Sequence, residues 1–149
     1  MNSNHIYISE LDKKIIHFIR KHHVLTLATS KDNKPYCCSC FYVYNEKQNF
    51  FLVTSDEDTR HISEIKEQPS VSGSIALETT MVGKIQGIQF TGAMEEVDKT
   101  ESQKEKAAYI QRFPVAAFSE LHLWRIKPDL IKFTDNRLGF GKKMIWEKK

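Results

Sequence analysis

A chain of 149 residues with 40% hydrophobic and 28% charged residues has the make-up of one ordinary globular domain, long enough to bury about 70% of its unfolded surface. A net charge of +3 is too small, and its lysines and arginines too scattered, for a nucleic-acid surface, and no apolar run approaches the ~18 residues of a membrane span. Met1-Asn2-Ser3-Asn4-His5 offers no apolar leader. Three clustered cysteines, Cys37, Cys38 and Cys40, make no disulfide framework, so a single cytoplasmic domain over 1–149 is expected.

The first predicted element is a helix capped by Ser9, with Leu11, Ile15, Phe18 and Ile19 on one face and Arg20 to His23 at its cationic end. Val24 to Thr29 reads as a strand, Ser30 to Pro35 as a turn, and Tyr36 to Tyr44 as a second strand. That second strand is apolar or small on both faces and is expected to be covered on both. After a turn at Asn45 to Asn49, Phe50 to Thr54 returns as a third strand. A helix capped by Ser55-x-x-Asp58 follows, with Ile62 and Ile65 inward, and stops near Pro69. Val71 to Leu77 alternates as a fourth strand, and Ile85 to Val97 as a long fifth. Gly83, Gly87 and Gly92 in or beside that fifth strand mark bends or a close backbone approach. Thr100-Glu101-Ser102-Gln103 matches a capping box for a helix that runs to about Gln111. Leu121 to Phe133 is the last strand, bent at Lys127-Pro128-Asp129, and Asp135 to Gly141 is a loop before Lys142 to Trp146. About six strands joined by short polar turns, with three helices, point to a small antiparallel barrel.

The cysteine run has no zinc-ligand spacing, so small buried hydrophobes are expected there and no metal. No nucleotide-binding glycine motif, nucleophile elbow or metalloprotease motif occurs, and no catalytic residue is singled out. One segment does gather chemistry. Thr54, Ser55, Thr59, Arg60 and His61 put hydroxyls, a guanidinium and an imidazole at a helix start, where free N–H groups and the helix dipole suit a phosphate. Ser39, Cys40 and Phe41 on the preceding strand and Gln89 on the long strand add the polar edges and flat surface that a flavin ring system needs.

In this order, the segments Thr59-Arg60-His61, Gly87-Ile88-Gln89-Phe90-Thr91-Gly92, Arg112-Phe113-Pro114-Val115-Ala116, Ile131 to Asn136 and Leu138 to Trp146 resemble the FMN-binding split-barrel superfamily of pyridoxamine 5'-phosphate oxidase. Within it, they resemble the YhbP-type family of bacterial proteins. The resemblance covers nearly the whole chain. It implies a mainly β (α+β) fold, a six-stranded antiparallel split β-barrel with flanking helices, paired as a homodimer with FMN at the subunit interface. It implies that Cys38, Ser39 and Cys40 line the isoalloxazine, that Thr54, Ser55, Thr59, Arg60 and His61 hold the phosphate, and that Gly87 and Gln89 contribute from the other side. His61 stands where many superfamily members carry lysine, and histidine is only partly charged at neutral pH.

The expected function is therefore that of a flavin-dependent oxidoreductase acting on a small-molecule substrate. The alternative is a non-catalytic flavin- or haem-binding storage protein, with His22, His23, His61 and His122 as candidate axial ligands. Trp124 and Trp146 are expected in the core or the dimer seam, with Trp146 over a flavin as the sharper reading.

Overall fold

Alternation of apolar and polar side chains, broken by tight turns, makes most of this chain strand. The computed structural model describes residues 4–149; Met1-Asn2-Ser3, the start of the expected 1–149 domain, lie outside the described residues. The elements are β1 (His5–Ile8), α1 (Lys13–Lys21), β2 (Val24–Lys31), β3 (Lys34–Asn45), β4 (Phe50–Thr54), α2 (Arg60–Glu67), β5 (Ser70–Ala76), β6 (Gln86–Glu96), α3 (Gln103–Arg112), β7 (Leu123–Asp135) and β8 (Lys143–Glu147). All strands join one 8-stranded sheet in the order β1-β8-β7-β4-β3-β2-β5-β6. A further β6–β7 pairing closes β2 to β7 into a ring of six strands, every contact antiparallel. The expectation of six strands thus describes the ring. It missed β1 and β8, a short parallel pair attached to the ring through β7.

Several predicted boundaries move, each with a contact that explains it. Residues 5–8 are drawn into the sheet, so α1 starts only after Asp12, whose carboxylate accepts from Lys14 N at 2.7 Å; Ser9 is not the cap. The β2–β3 turn shrinks to Asp32-Asn33, both at positive φ (51° and 59°), the geometry that matches strand twist in a two-residue hairpin. Thr59, not Ser55 or Asp58, precedes α2, and its side chain makes no cap bond there. Thr100 is spent on Asp98 Oδ1 at 2.8 Å, so Ser102, not Thr100, precedes α3.

The ring interior is packed by Leu25, Leu27, Tyr42, Phe51, Phe90, Ile131 and Phe133 from the strands, with Ile15 and Ile19 of α1 and Ile62 of α2 against them. β4 is buried on both faces: Phe51 and Val53 enter this core, while Phe50 and Leu52 join Tyr109 of α3 in a second cluster. β3 is not covered on both faces as expected. Cys40, Tyr42 and Tyr44 point inward, but Cys37, Ser39 and Phe41 are exposed, Phe41 by 57%. α3 and the segment after it cover the far end of that face, where Phe113 packs edge-on to Phe41 and Val43 joins the second cluster.

The glycines of the long strand separate by role. A Cβ on Gly92 would sit 2.2 Å from Lys127 O, where the β6–β7 register shifts between Thr91 and Gly92 and β7 bends at Pro128. A Cβ on Gly83 would meet nothing within 4 Å. Gly92→Ala is therefore expected to cost on the order of 1–3 kcal/mol or more, because backbone must shift to admit the methyl. Gly83→Ala should stay within about 0.5 kcal/mol. Urea-unfolding midpoints of the two variants give the comparison. Equal midpoints would mean that the β6–β7 bulge relaxes freely.

Candidate functional site

β4 delivers Thr54 and Ser55 to one end of the ring. Ser55 is clamped through its backbone: its N–H donates to His122 O at 3.0 Å and its carbonyl accepts from Trp124 Nε1 at 2.9 Å. Trp124 is thus a core residue, as expected, whose one polar atom orients the site. The chain then turns through Asp56, whose carbonyl accepts from Thr59 Oγ1 at 2.8 Å, and enters α2. That turn brings His61 back, so that its Nε2 shares a short hydrogen bond with Ser55 Oγ and lies 3.4 Å from Thr59 Oγ1. His61 is 8% exposed. Ser55, Thr59 and His61 therefore form one polar cluster.

Arg60, next to His61, looks elsewhere. Its Nε donates to Glu64 Oε1 at 2.9 Å and its guanidinium lies 4.3 Å over the ring of Tyr36. The side chain is 53% exposed, so its remaining N–H groups face solvent. Glu64 is buried, accepts from Thr29 Oγ1 at 2.6 Å as well, and is held below the usual glutamate range by Thr29 first and Arg60 second. The stabilisation from this carboxylate is then complete above the ordinary glutamate value, about 4.3, and lost as pH falls through the lower folded value. Glu64→Gln should lower the urea midpoint at pH 7 and leave it nearly unchanged at strongly acid pH. A constant gap between the two curves across that window would contradict the coupling.

On the inner face of β3, Cys38 and Cys40 lie together, with Sγ atoms 3.9 Å apart, and His61 stands beside them. The expectation of small buried hydrophobes holds for Cys40 alone: Cys38 is half-buried and Cys37 exposed. The Cys38 thiol is pulled down to about 5, first by the hydrogen bond from Cys40 and then by His61, while the same pairing and burial push Cys40 up.

Two concavities border β3, one at Phe41 and one at Cys37. A cleft of about 450 Å³ is lined by Thr54, Ser55 and Thr59 on one side and by Phe41, Tyr109 and Phe113 on the other. A second hollow, about 600 Å³, lies on the outer face of β2, β3, β5 and β6, where Gln89 meets Thr26, Cys37, Ser72 and Ser74. The structure thus gathers Cys38, Cys40, Thr54, Ser55, Thr59 and His61, sets Arg60 at their margin, and leaves Gln89 in the outer hollow. Ser39 is exposed on the outer face of β3, and Gly87 pairs with Ala76 and Thr134 in the sheet.

Sequence reasoning missed Glu64, Thr29, Tyr36 and the apolar wall from α3. Glu64 was within reach, four residues beyond Arg60 on one helix face. The others depend on pairings across the ring.

The model of the family described as pyridoxamine 5'-phosphate oxidase matches residues 11–135. The UPF0306 protein YhbP of Escherichia coli O157:H7 is 38% identical over 132 residues, 89% of this chain and 90% of that protein. Among solved structures, a pyridoxamine 5'-phosphate oxidase-related, FMN binding protein from Nostoc punctiforme superposes with a TM-score of 0.71 at 14% identity, covering 93% of this chain and 92% of that one. HutZ, the heme storage protein from Vibrio cholerae, gives a TM-score of 0.61 at 19% identity over 80% of this chain and 90% of its own. These two likenesses are of fold. No helix among the described residues is long and apolar enough to cross a membrane. With most of its length matched by the family model, and with a relative such as YhbP aligned almost end to end, the chain belongs to the pyridoxamine 5'-phosphate oxidase family and, within it, to the UPF0306 proteins.

Proposed function

We propose that this protein is a cytoplasmic, homodimeric FMN-binding split barrel that uses the flavin for redox chemistry on a small-molecule substrate. One observation carries the reading: Ser55 and Thr59, each within reach of His61 Nε2, edge a cleft of about 450 Å³ whose other wall is Phe41, Tyr109 and Phe113, with Asp56 and Glu120 also at its lining, a size usual for a cofactor-bearing pocket. Hydroxyls and an imidazole suit phosphate oxygens, and Phe41, Tyr109 and Phe113 suit a flat ring. Bound FMN would supply the hydride or electron transfer, so the reading gives no side chain the part of acid, base or nucleophile. On this reading Ser55, Thr59 and His61 orient the phosphate, Thr54 lines the approach, and the β3 backbone at Cys38, Ser39 and Cys40 runs along the ring system.

The homodimer belongs to the same proposal. Exposed Phe41, Val24 and Cys37 lie on one face of β2 and β3, with Gln89 in the adjoining hollow. A second copy over that face would bury them and would bring Gly87 and Gln89 of one subunit toward the cluster of the other.

Absorption of freshly purified protein, with FMN titration followed by flavin fluorescence, tests the assignment. Expected are about one FMN per chain and steady NAD(P)H oxidation by the loaded protein. Failure to take up FMN overturns it. Haem storage is the second reading, favoured by one detail. His22 commits Nδ1 to Phe18 O at 2.8 Å and His61 commits Nε2 to Ser55, whereas the buried His122 Nδ1 has no hydrogen-bond partner among the described residues. A Soret band that appears on haem titration and is lost in His122→Ala would favour it.

A further inference from the structure

We propose that Cys38, Cys40 and His61 form a binding site for a zinc-class divalent cation. Residues i and i+2 of a strand share a face, so the Cys-x-Cys spacing on β3 aims both thiols at the first turn of α2. The ligand atoms of the three residues all lie within 4.8 Å of one another. The Sγ–Sγ separation of 3.9 Å matches the roughly 3.8 Å edge of a tetrahedron with Zn–S bonds of about 2.3 Å. His61 needs to move only about 1 Å closer to meet the shorter S–N edge of the same figure.

The donor set decides the metal class. Two sulfurs and an imidazole, with no carboxylate among them, disfavour magnesium and calcium and suit a borderline-soft ion. Cys40 and His61 are buried and Cys38 half-buried, so bulk water does not compete on all sides. Two cysteines and one histidine leave the fourth tetrahedral position for an outside ligand, the arrangement of a reactive rather than a purely structural zinc site. Binding forms two S–Zn bonds and one N–Zn bond and releases the thiol protons to solvent, with no change of oxidation state. Spacing along the chain does not reveal the site, because the third ligand comes from the first turn of α2 and not from a second cysteine pair. The site shares Cys38, Cys40 and His61 with the flavin reading but rests on the thiol–imidazole geometry alone.

The test uses reduced, metal-stripped, full-length protein without FMN. Cobalt titration should give one equivalent bound, with near-ultraviolet thiolate-to-cobalt charge transfer and the intense visible bands of a tetrahedral ion, both removed on adding zinc. The Cys38→Ser/Cys40→Ser double variant should lose the charge-transfer band. His61→Ala should weaken binding by about 100-fold or more, since loss even of an outer partner costs 10–100-fold. Cys37→Ser, altered on the opposite face of β3, should bind as the parent does. Peptide mapping of the unmutated protein covers any variant that fails to fold. Zinc should slow iodoacetamide modification of Cys38 by at least about tenfold and leave the rate at Cys37, on the opposite face of β3, unchanged from the metal-free protein. No charge-transfer band in the parent, a band surviving in the double variant, or equal protection of Cys37 would each overturn the site.

Discussion

Changing Arg60 and His61 together to alanine is expected to weaken FMN binding by about 100-fold while riboflavin binding falls by less than about threefold. A hydrogen bond to a charged group contributes roughly 1.5–3 kcal/mol, and riboflavin lacks the phosphate that would use it. The share of each residue follows from the geometry. His61 is buried beside Ser55 and Thr59 and has no carboxylate partner there, so His61→Ala alone should account for most of the loss. Arg60 is paired with Glu64 and is half exposed, so its direct share is smaller. Removing Arg60 also leaves the Glu64 carboxylate uncompensated near an incoming phosphate. Arg60→Ala should therefore look worse than the lost contact alone, and adding Glu64→Gln should restore part of the affinity. Flavin fluorescence titrations of the four variants against both ligands separate these effects. Equal losses for FMN and riboflavin would remove Thr54 to His61 from any phosphate-holding role.

The ring of strands was legible because alternation is a local property. Ile88, Phe90 and Met94 on β6, or Ile15, Phe18 and Ile19 on α1, can be assigned from spacing alone, and all are buried. β1 and β8 were not, because a four-residue strand such as His5–Ile8 carries too little pattern and exists only through its partner at Lys143 to Trp146. The caps failed for a related reason. Ser9, Ser55 and Thr100 each have the right chemistry, but the β1–β8 pairing before α1, the Ser55–His61 bond and the Thr100–Asp98 bond decided where the helices begin. At the candidate site, the residues of Thr54 to His61 were legible as a group since they are close in sequence. Their division of labour was not: Arg60 turns to Glu64 and Tyr36, and His61 turns to Ser55 and the β3 thiols. Both choices follow from α2 packing against β2 and β3, a long-range event.

Phe51→Ala should be among the most damaging single changes in the core. Phe51 is 0% exposed and sits at the centre of an aromatic group, with ring centroids 5.5 Å from Tyr42, 5.2 Å from Tyr44 and 4.9 Å from Phe90. These partners come from β3 and β6, which are not neighbours in the sheet, so Phe51 fills the space across the ring rather than along one ladder. Truncation removes the transfer free energy of the side chain and leaves a void that a closed ring of paired strands collapses poorly, for an expected loss of about 3–5 kcal/mol. At about 2–4 °C per kcal/mol for a domain near this size, the melting temperature should fall by roughly 10 °C. The cost should reach the site as well. β4 carries Phe51 into the core and Thr54 and Ser55 to its edge, so loosening Phe51 frees the strand that positions His61 through Ser55. Phe51→Leu keeps most of the volume and should recover more than half of the lost stability. Urea unfolding with unchanged slope would assign the loss to the native core. A loss below about 1 kcal/mol would show that the ring repacks across its interior and that the aromatic group does not brace it.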